Sequence, residues 1–455
     1  MYARRSTLAC LVAALSIAAP ARAAEVSATD AVGARDPLAG VAGEQPFVRS
    51  PGNEIVLFPG FLGQVQGGFF PQATNLRSGF SLRRARLELS GWLGPMFYFD
   101  VAGDFANAPA APGGHPPSDA FVAFAPEGDS FILQAGQFDT PFSLENRTYD
   151  AYLPFIERSL AVRALTVPYN KDLGVMVHGT DASRTFYYSG GVFNGDGPGV
   201  ANGDNRVDVI GRVTVSPFAR SSIEMLREWT LGGSAWYGSH VAGRSFPTQA
   251  TPGGFVFFDP VWTVGQAMPT TLDLHESGRT LTLGGELSLP IGHQGGLRAE
   301  GFLKMEDLAE DSIAADGSTL STLGRANLNA IGGYADAWLW LVGDDRLLPR
   351  PGYELPRRLG RLVPATPEHG LMLAARGELL KEDLTSGQSV NADPNLATTR
   401  VVAATLGMNY WYGRRVRASV NYILTLFSGS TENIKAIAAN GKSEHELLLL
   451  LSMGL

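Results

Sequence analysis

The stretch Gly79–Gly94 reads GFSLRRARLELSGWLG, with apolar and charged residues taking turns. Ala85, Leu87 and Leu89 interleave with Arg84, Arg86 and Glu88. A period of two puts successive side chains on opposite faces of a β-strand. One face of this segment seeks an apolar medium and the other seeks water. The pattern recurs along the chain in segments of about ten residues separated by turn residues. Examples lie around Phe97–Asp104, Val207–Val215, Thr280–Leu289, Leu297–Lys304 and Val416–Thr425. The longest apolar runs, such as Leu447–Leu451, fall far short of the roughly 18 residues a membrane helix needs.

The N-terminus has its own signature. Arg4 and Arg5 precede an apolar run that ends at Ala21-Arg22-Ala23, the layout of a secretory signal peptide. Residues 1–23 are therefore read as a signal, and cleavage removes Cys10, the one cysteine. Loss of Arg4, Arg5 and Arg22 takes the formal net charge from −8 to −11, which argues against a nucleic-acid partner. An exported chain without disulfides needs a large core or a closed hydrogen-bonded barrel. Residues 24–54 are rich in Ala, Gly, Asp and Pro, lack a period, and read as a flexible N-terminal segment. Residues 55–455 read as one barrel domain.

The connections alternate in size. Short ones fall at Leu93–Met96, Pro126–Asp129, Thr180–Thr185, Ser216–Ser221, Ile291–Gly295 and Tyr412–Arg415. Long ones fall at Ala106–Ser118, Asp139–Lys171, Asn194–Asn205, Ser239–Glu276, Glu306–Leu323, Asp383–Asn395 and Phe427–Ser443. Short turns at one end and long loops at the other mark an outer-membrane β-barrel. The fold class is all-β: a transmembrane antiparallel barrel of about sixteen strands. Gly343–Gly370 departs from the rule, since its place predicts a short turn while it is long and holds five prolines. In lipid only a closed barrel satisfies every strand edge. Arg84, Arg86, Glu88 and Ser90 then face an aqueous lumen, while Ala85, Leu87, Leu89 and Leu93 face lipid. Arg83 breaks this parity and is expected at the membrane rim. Trp92 falls on the inner parity.

Several motifs follow one another in order: FSLRRARLELSGWLGPMFYFDVAGDF, SDAFVAFAPEGDSFILQAGQFDTPFSLENRTYDAYLPFIERSLA, GVFNGDG, GRVTVSPF, GGYADAWLWLVGD, HGLMLAARGELL and LGMNYWYGRRVRASVNY. Together they resemble the phosphate-selective porin O and P family. The resemblance implies a sixteen-stranded, usually trimeric, outer-membrane pore for anions such as phosphate. It also implies a third loop folded inward to narrow the channel, here Asp139–Lys171. That loop carries Arg147, Arg158, Arg163 and Lys171, alongside Asp139, Glu145, Asp150 and Glu157. The chain departs from the family in its few lysines and in ending on Leu455.

Ions leaving water need replacement ligands, and rings of Arg or Lys serve anions while Asp or Glu serve cations. Arginine suits phosphate because its planar fork meets two oxygens. Parity places Arg84, Arg86, Arg212, Arg298, Arg376 and Arg417 inside, with Glu88, Asp100, Asp104, Glu286, Glu300, Asp336 and Glu378. For each arginine a structural pair with a neighbouring acid competes with an anion-ligand role.

Other chemistry finds less support. Gly128-Asp129-Ser130-Phe131 falls on a short turn, without the base a serine nucleophile needs. The seven His lack metal-ligand spacing, and Gly195-Asp196-Gly197 and Gly203-Asp204 read as turns. No cofactor or metal is expected, and the chain is not read as an enzyme. Phe97, Phe99, Tyr410, Trp411, Tyr412 and Tyr422 read as interfacial girdle residues. Tyr334, Trp338 and Trp340 share one parity with Asp336, as a sugar slide or as packing against the third loop. The sequence thus predicts a trimeric bacterial outer-membrane diffusion pore for small hydrophilic solutes, biased to anions such as phosphate. The alternative is a non-conducting barrel acting as receptor or anchor.

Overall fold

A strand in lipid must find a partner at both edges, because no water is there to satisfy its N–H and C=O groups. In the computed structural model of this chain, sixteen strands among the described residues do so. They are Ile55–Phe69, Gly79–Leu93, Phe97–Asp104, Asp119–Phe124, Ile132–Asp139, Lys171–Thr180, Phe186–Phe193, Asp208–Val215, Thr230–His240, Thr270–Ile291, Gly295–Ile313, Thr319–Val342, His369–Thr385, Thr398–Tyr412, Val416–Gly429 and Ser443–Gly454. Each pairs antiparallel with its neighbours in chain order. The last pairs with the first, with Leu451 opposite Val65, and the cylinder closes. The structure describes residues 37–42, 45–71, 76–106, 118–241, 247–258, 261–264, 270–313, 319–348, 351–352, 355–359, 367–385, 398–429 and 443–454. The expected signal peptide, residues 24–36 of the lead, His115 and Leu455 lie outside them.

The two faces of the wall are inverted relative to a water-soluble fold. Leu87 is 55% exposed, and Leu89, Val101, Val213, Leu283, Leu303, Ile331, Leu379, Leu406 and Leu451 are exposed with it. Arg86, Ser90, Arg212, Glu286, Arg298, Glu300, Asp336, Arg376, Glu378 and Arg417 are buried inside. The expected parity of Arg84, Arg86, Glu88 and Ser90 against Leu87, Leu89 and Leu93 is the observed one.

Arg83 differs from its expected place at the rim. The register slips by one residue between Gln64, opposite Arg84, and Val65, opposite Leu82. A bulge leaves an extra residue unpaired and re-aims its neighbour. Arg83 and Arg84 consequently both turn inward: Arg83 donates to Gln66 Oε1 at 2.7 Å and pairs with Glu157 at 2.6 Å. Trp411 is corrected as well. Tyr410 and Tyr412 are exposed, so the residue between them faces in, where Trp411 packs with Trp340, Leu347 and Met372.

The wall is uneven in height. Three adjacent strands run 22, 19 and 24 residues, so much of the expected loops Ser239–Glu276 and Glu306–Leu323 is strand. Alternation continues to Leu308, with Lys304, Glu306 and Leu308 buried on the inner face, and from Leu308 to Ser312 every residue is buried. The six strands from Phe97 to Val215 have only 6 to 10 residues each.

Short turns close one end, helped by left-handed glycines such as Gly94 (φ 68°) and Gly413 (φ 54°). The described part of the lead, read from sequence as lacking a period, contains a hairpin. Ala39–Ala42 pairs with Gln45–Arg49, whose Val48 and Arg49 pair with Leu57 and Val56. Phe47 inserts beside Phe58, Trp92 and Tyr98.

The inverted wall makes a quantitative prediction. Leu87→Arg places a guanidinium on the lipid face and is expected to cost about 2–4 kcal/mol. Urea unfolding in lipid vesicles measures it; a cost near zero means that Leu87 does not meet acyl chains.

Candidate functional site

The lumen is crossed by the third loop. It leaves the wall at Asp139 and returns at Lys171, which are paired neighbours. Its helix, Leu160–Leu165, is capped by Ser159, whose side chain accepts from the Val162 N–H. Leu160, Ala161, Val162 and Leu165 are buried in one cluster with wall residues Phe302, Ala330 and Leu380. The wall makes room at Gly332, where a Cβ would lie 2.9 Å from both Ala161 and Leu165.

Polar clamps fix the rest of the loop. Glu300 accepts from the N–H groups of Leu144 and Glu145, each at 2.8 Å, and from the Tyr334 hydroxyl at 2.7 Å. Glu145 accepts from the Ser159 N–H and pairs with Arg376 at 2.5 Å. Arg376 also holds Asp336 at 2.7 Å, and Asp336 holds Arg298 at 2.8 Å. Glu378 accepts from the Leu160 N–H, and Asn421 from the Ile156 N–H. On the opposite wall, Asp150 meets Arg84 at 3.0 Å and Arg86 at 3.5 Å, and Arg158 of its own loop at 2.5 Å. Burial pushes the Asp150 carboxyl up, but the guanidiniums of Arg84, Arg158 and Arg86 outweigh burial and hold it well below its usual value. Likewise, burial raises Glu157 but Arg83 and Arg163 bring it down to about 2. Both acids are ionised at neutral pH.

The candidate residues divide into two groups. Arg212, Arg298 and Arg376 face inward as expected but are held in ion pairs. Arg212 grips Glu286 through two nitrogens at 2.6 and 2.8 Å. Arg147 donates to the Asp139 carbonyl. Lys171 sits between Asp119 (2.7 Å) and Asp139 (2.9 Å). Arg84, Arg86, Arg158, Arg163, Lys171 and Arg417 line open space. Three guanidiniums share the one carboxylate of Asp150. Arg163 is exposed, and among the described residues it makes no ion pair. Arg417, 2% exposed, has the Leu153 carbonyl and the face of Trp411 for company.

The space itself is double. A cavity of about 390 Å³ lies on the long-loop side, between the third loop and an inward hairpin, Gln249–Ala250 with Val256–Phe258. That hairpin is anchored by Gln249 on Glu382 and by Thr251 on Glu446, with Phe255 and Phe257 against Phe427. A second cavity, also about 390 Å³, lies on the short-turn side and reaches Tyr152, Arg357, Trp411 and Arg417. Both are lined by Arg86, Asp139 and Tyr149, which mark the neck between them.

The aromatic row at Tyr334, Trp338 and Trp340 is used for packing. Tyr334 binds Glu300, and both tryptophans donate to Asp345. Ser130 closes its turn by hydrogen-bonding to the Glu127 carbonyl. Among the described residues no cluster of His, Cys, Asp or Glu has the makings of a metal site. Sequence reasoning missed the inward hairpin and the wall acids Glu300 and Glu378 as loop acceptors. Their inner parity was visible, but their partners come from distant segments.

Arg376→Ala would strand Glu145 without its cation and leave Asp336 with Arg298 alone. The expected loss is about 3–5 kcal/mol, read by denaturant unfolding in lipid; a loss below about 1 kcal/mol means that the clamp does not hold the loop.

Residues 63–245 match the family model described as phosphate-selective porin O and P. No curated protein matches the sequence. Among solved structures the chain is similar to outer-membrane expressed OmpT of Vibrio cholerae, at 10% identity over 90% of this chain and 100% of that one, with a TM-score of 0.53. It is also similar to a loop L8 deletion mutant of that protein, at 9% identity over 88% and 100%, with a TM-score of 0.51. At such identities the likeness is one of fold: an outer-membrane barrel.

Proposed function

We propose that this outer-membrane barrel is a porin, a water-filled channel for passive diffusion of small hydrophilic solutes biased to anions such as phosphate. The observation that carries the anion bias is the excess of guanidinium at the neck. Arg84, Arg86 and Arg158 surround the carboxylate of Asp150, and the other acid of the neck, Asp139, is held by Lys171. Arg163 above, close enough to Glu157 to lower its carboxyl pKa, and Arg417 below add cations outside the described ion pairs. A solute anion entering either cavity meets partly unspent donors rather than one deep trap. Several weak sites in series favour passage over capture. The clamped arginines Arg212, Arg298 and Arg376 serve the wall and loop instead. Residues 1–23 direct export, and the barrel begins near residue 55.

The low wall supports a trimer. A tilted membrane strand needs about 9–11 residues, and five of the six strands from Phe97 to Val215 have 8 or fewer. Their exposed side chains are nonetheless apolar, with Val122 at 62% and Phe105 and Val209 exposed nearby. A neighbouring protomer covers a wall too short for the bilayer. Val122→Arg is expected to convert trimers to monomers on cross-linking in mild detergent; an unchanged oligomer would place the contact elsewhere.

A second reading has one observation in its favour: the third loop and the inward hairpin both occupy the lumen. Planar-bilayer recordings separate the two. A porin gives open currents, and in a potassium chloride gradient its reversal potential takes the anion sign. Replacing Arg84 and Arg86 together by Ala is expected to move that potential towards the cation value. If it stays put, these two residues do not set selectivity; if wild-type protein gives no current, the plugged barrel stands.

A further inference from the structure

Described residues of the long connection Gly343–Gly370 enter the pore. The connection leaves the wall after Val342, at the short-turn end, and the wall resumes at His369. Its described middle runs inward. The Gly352 carbonyl accepts from Arg212 Nη1 at 2.7 Å, and the Gly352 N–H donates to Thr148 of the third loop. Gly352 is left-handed (φ 74°), and a Cβ there would lie 2.6 Å from Arg212 Nη2, so glycine is required. Trp92 donates its indole N–H to the Arg357 carbonyl at 2.5 Å, and the Arg358 guanidinium lies 3.9 Å from the Trp92 ring centre. Leu355 and Leu359 pack on the cluster of Phe47, Phe58, Trp92 and Tyr98. The inner-parity tryptophan thus anchors the insert.

The charge on this segment matters for what passes. The short-turn cavity is lined by four acids, Glu88, Asp100, Asp119 and Asp139. Lys171 of the wall answers Asp119 and Asp139. Glu88 is answered by the insert, through Arg357 Nη2 at 2.6 Å. Without Arg357, Glu88 would face passing ions beside Asp100, and carboxylates at a constriction draw cations.

We infer that Gly352 and residues 355–359 form a selectivity element delivered into the pore from the periplasmic side, with Arg357 as its specificity-determining cation. The inference rests on the porin reading. Arg357 keeps the lower half of the path open to anions by cancelling Glu88, and the segment carrying it narrows that half.

Three full-length proteins test this in planar bilayers: wild type, Arg357→Gln, and a chain with residues 349–366 exchanged for a glycine-serine linker. Circular dichroism confirms the barrel in each. Arg357→Gln is expected to lower the anion-to-cation permeability ratio by roughly twofold or more. The linker exchange is expected to lower it too and to raise single-channel conductance. A conducting wild type whose ratio is unchanged by Arg357→Gln, or whose conductance is unchanged by the linker, overturns the inference and leaves the porin reading intact. A silent wild type that conducts after the linker exchange overturns the inference, because the insert then blocks the path instead of selecting among ions. Silence in both overturns the inference and the porin reading together.

Discussion

The backbone hydrogen bond sets everything else in this molecule. Inside a bilayer an unpaired N–H or C=O costs several kcal/mol, so the Ser443–Gly454 strand must reach round to Ile55–Phe69. Closure in turn dictates side-chain chemistry. With a period of two, every residue belongs to the outer or the inner face. Leucine and valine gather outside, while arginine, glutamate and aspartate gather inside where they find one another. The interior of this protein therefore carries a polar network beside the apolar cluster under the third loop.

That network explains why a lumen rich in arginine is not a uniformly anion-binding surface. Breaking a buried pair costs more than the pair contributes, and guanidiniums such as Arg212 and Arg376 are already committed to Glu286 or to Asp336 and Glu145. Outside those pairs stand the three guanidiniums around Asp150 and, making no ion pair among the described residues, Arg163 and Arg417. A count of inward arginines therefore overstates the positive charge left facing the lumen.

The inner and outer faces were legible residue by residue. Arg84, Arg86, Arg212, Arg298, Arg376 and Arg417 all turn inward as their parity requires. The third loop was legible through its length and the family resemblance. Arg83 was misplaced because a bulge is a property of two paired strands, and one strand read alone cannot show a slip against its partner. Trp92 looked out of place on the inner parity because its partner, Arg357, becomes a neighbour only in three dimensions; Trp411 was read as a girdle residue, although its place between the exposed Tyr410 and Tyr412 turns it inward. The extent of strand beyond His240 was hidden by acids and glycines that read as loop, although an inner face far from the membrane tolerates them.

The third loop ties Arg83 and Arg84 on one side of the cylinder to Asp336 and Arg376 on the other. Such a strut resists flattening of the ring into an ellipse. It also couples assembly steps. Glu145 and Asp150 sit five residues apart in the loop yet bind strands nearly three hundred residues apart in the chain. A half-closed sheet holds only one of these anchors, so the strut is set when the ring closes, and threading of the loop and sealing of the seam become a single concerted act.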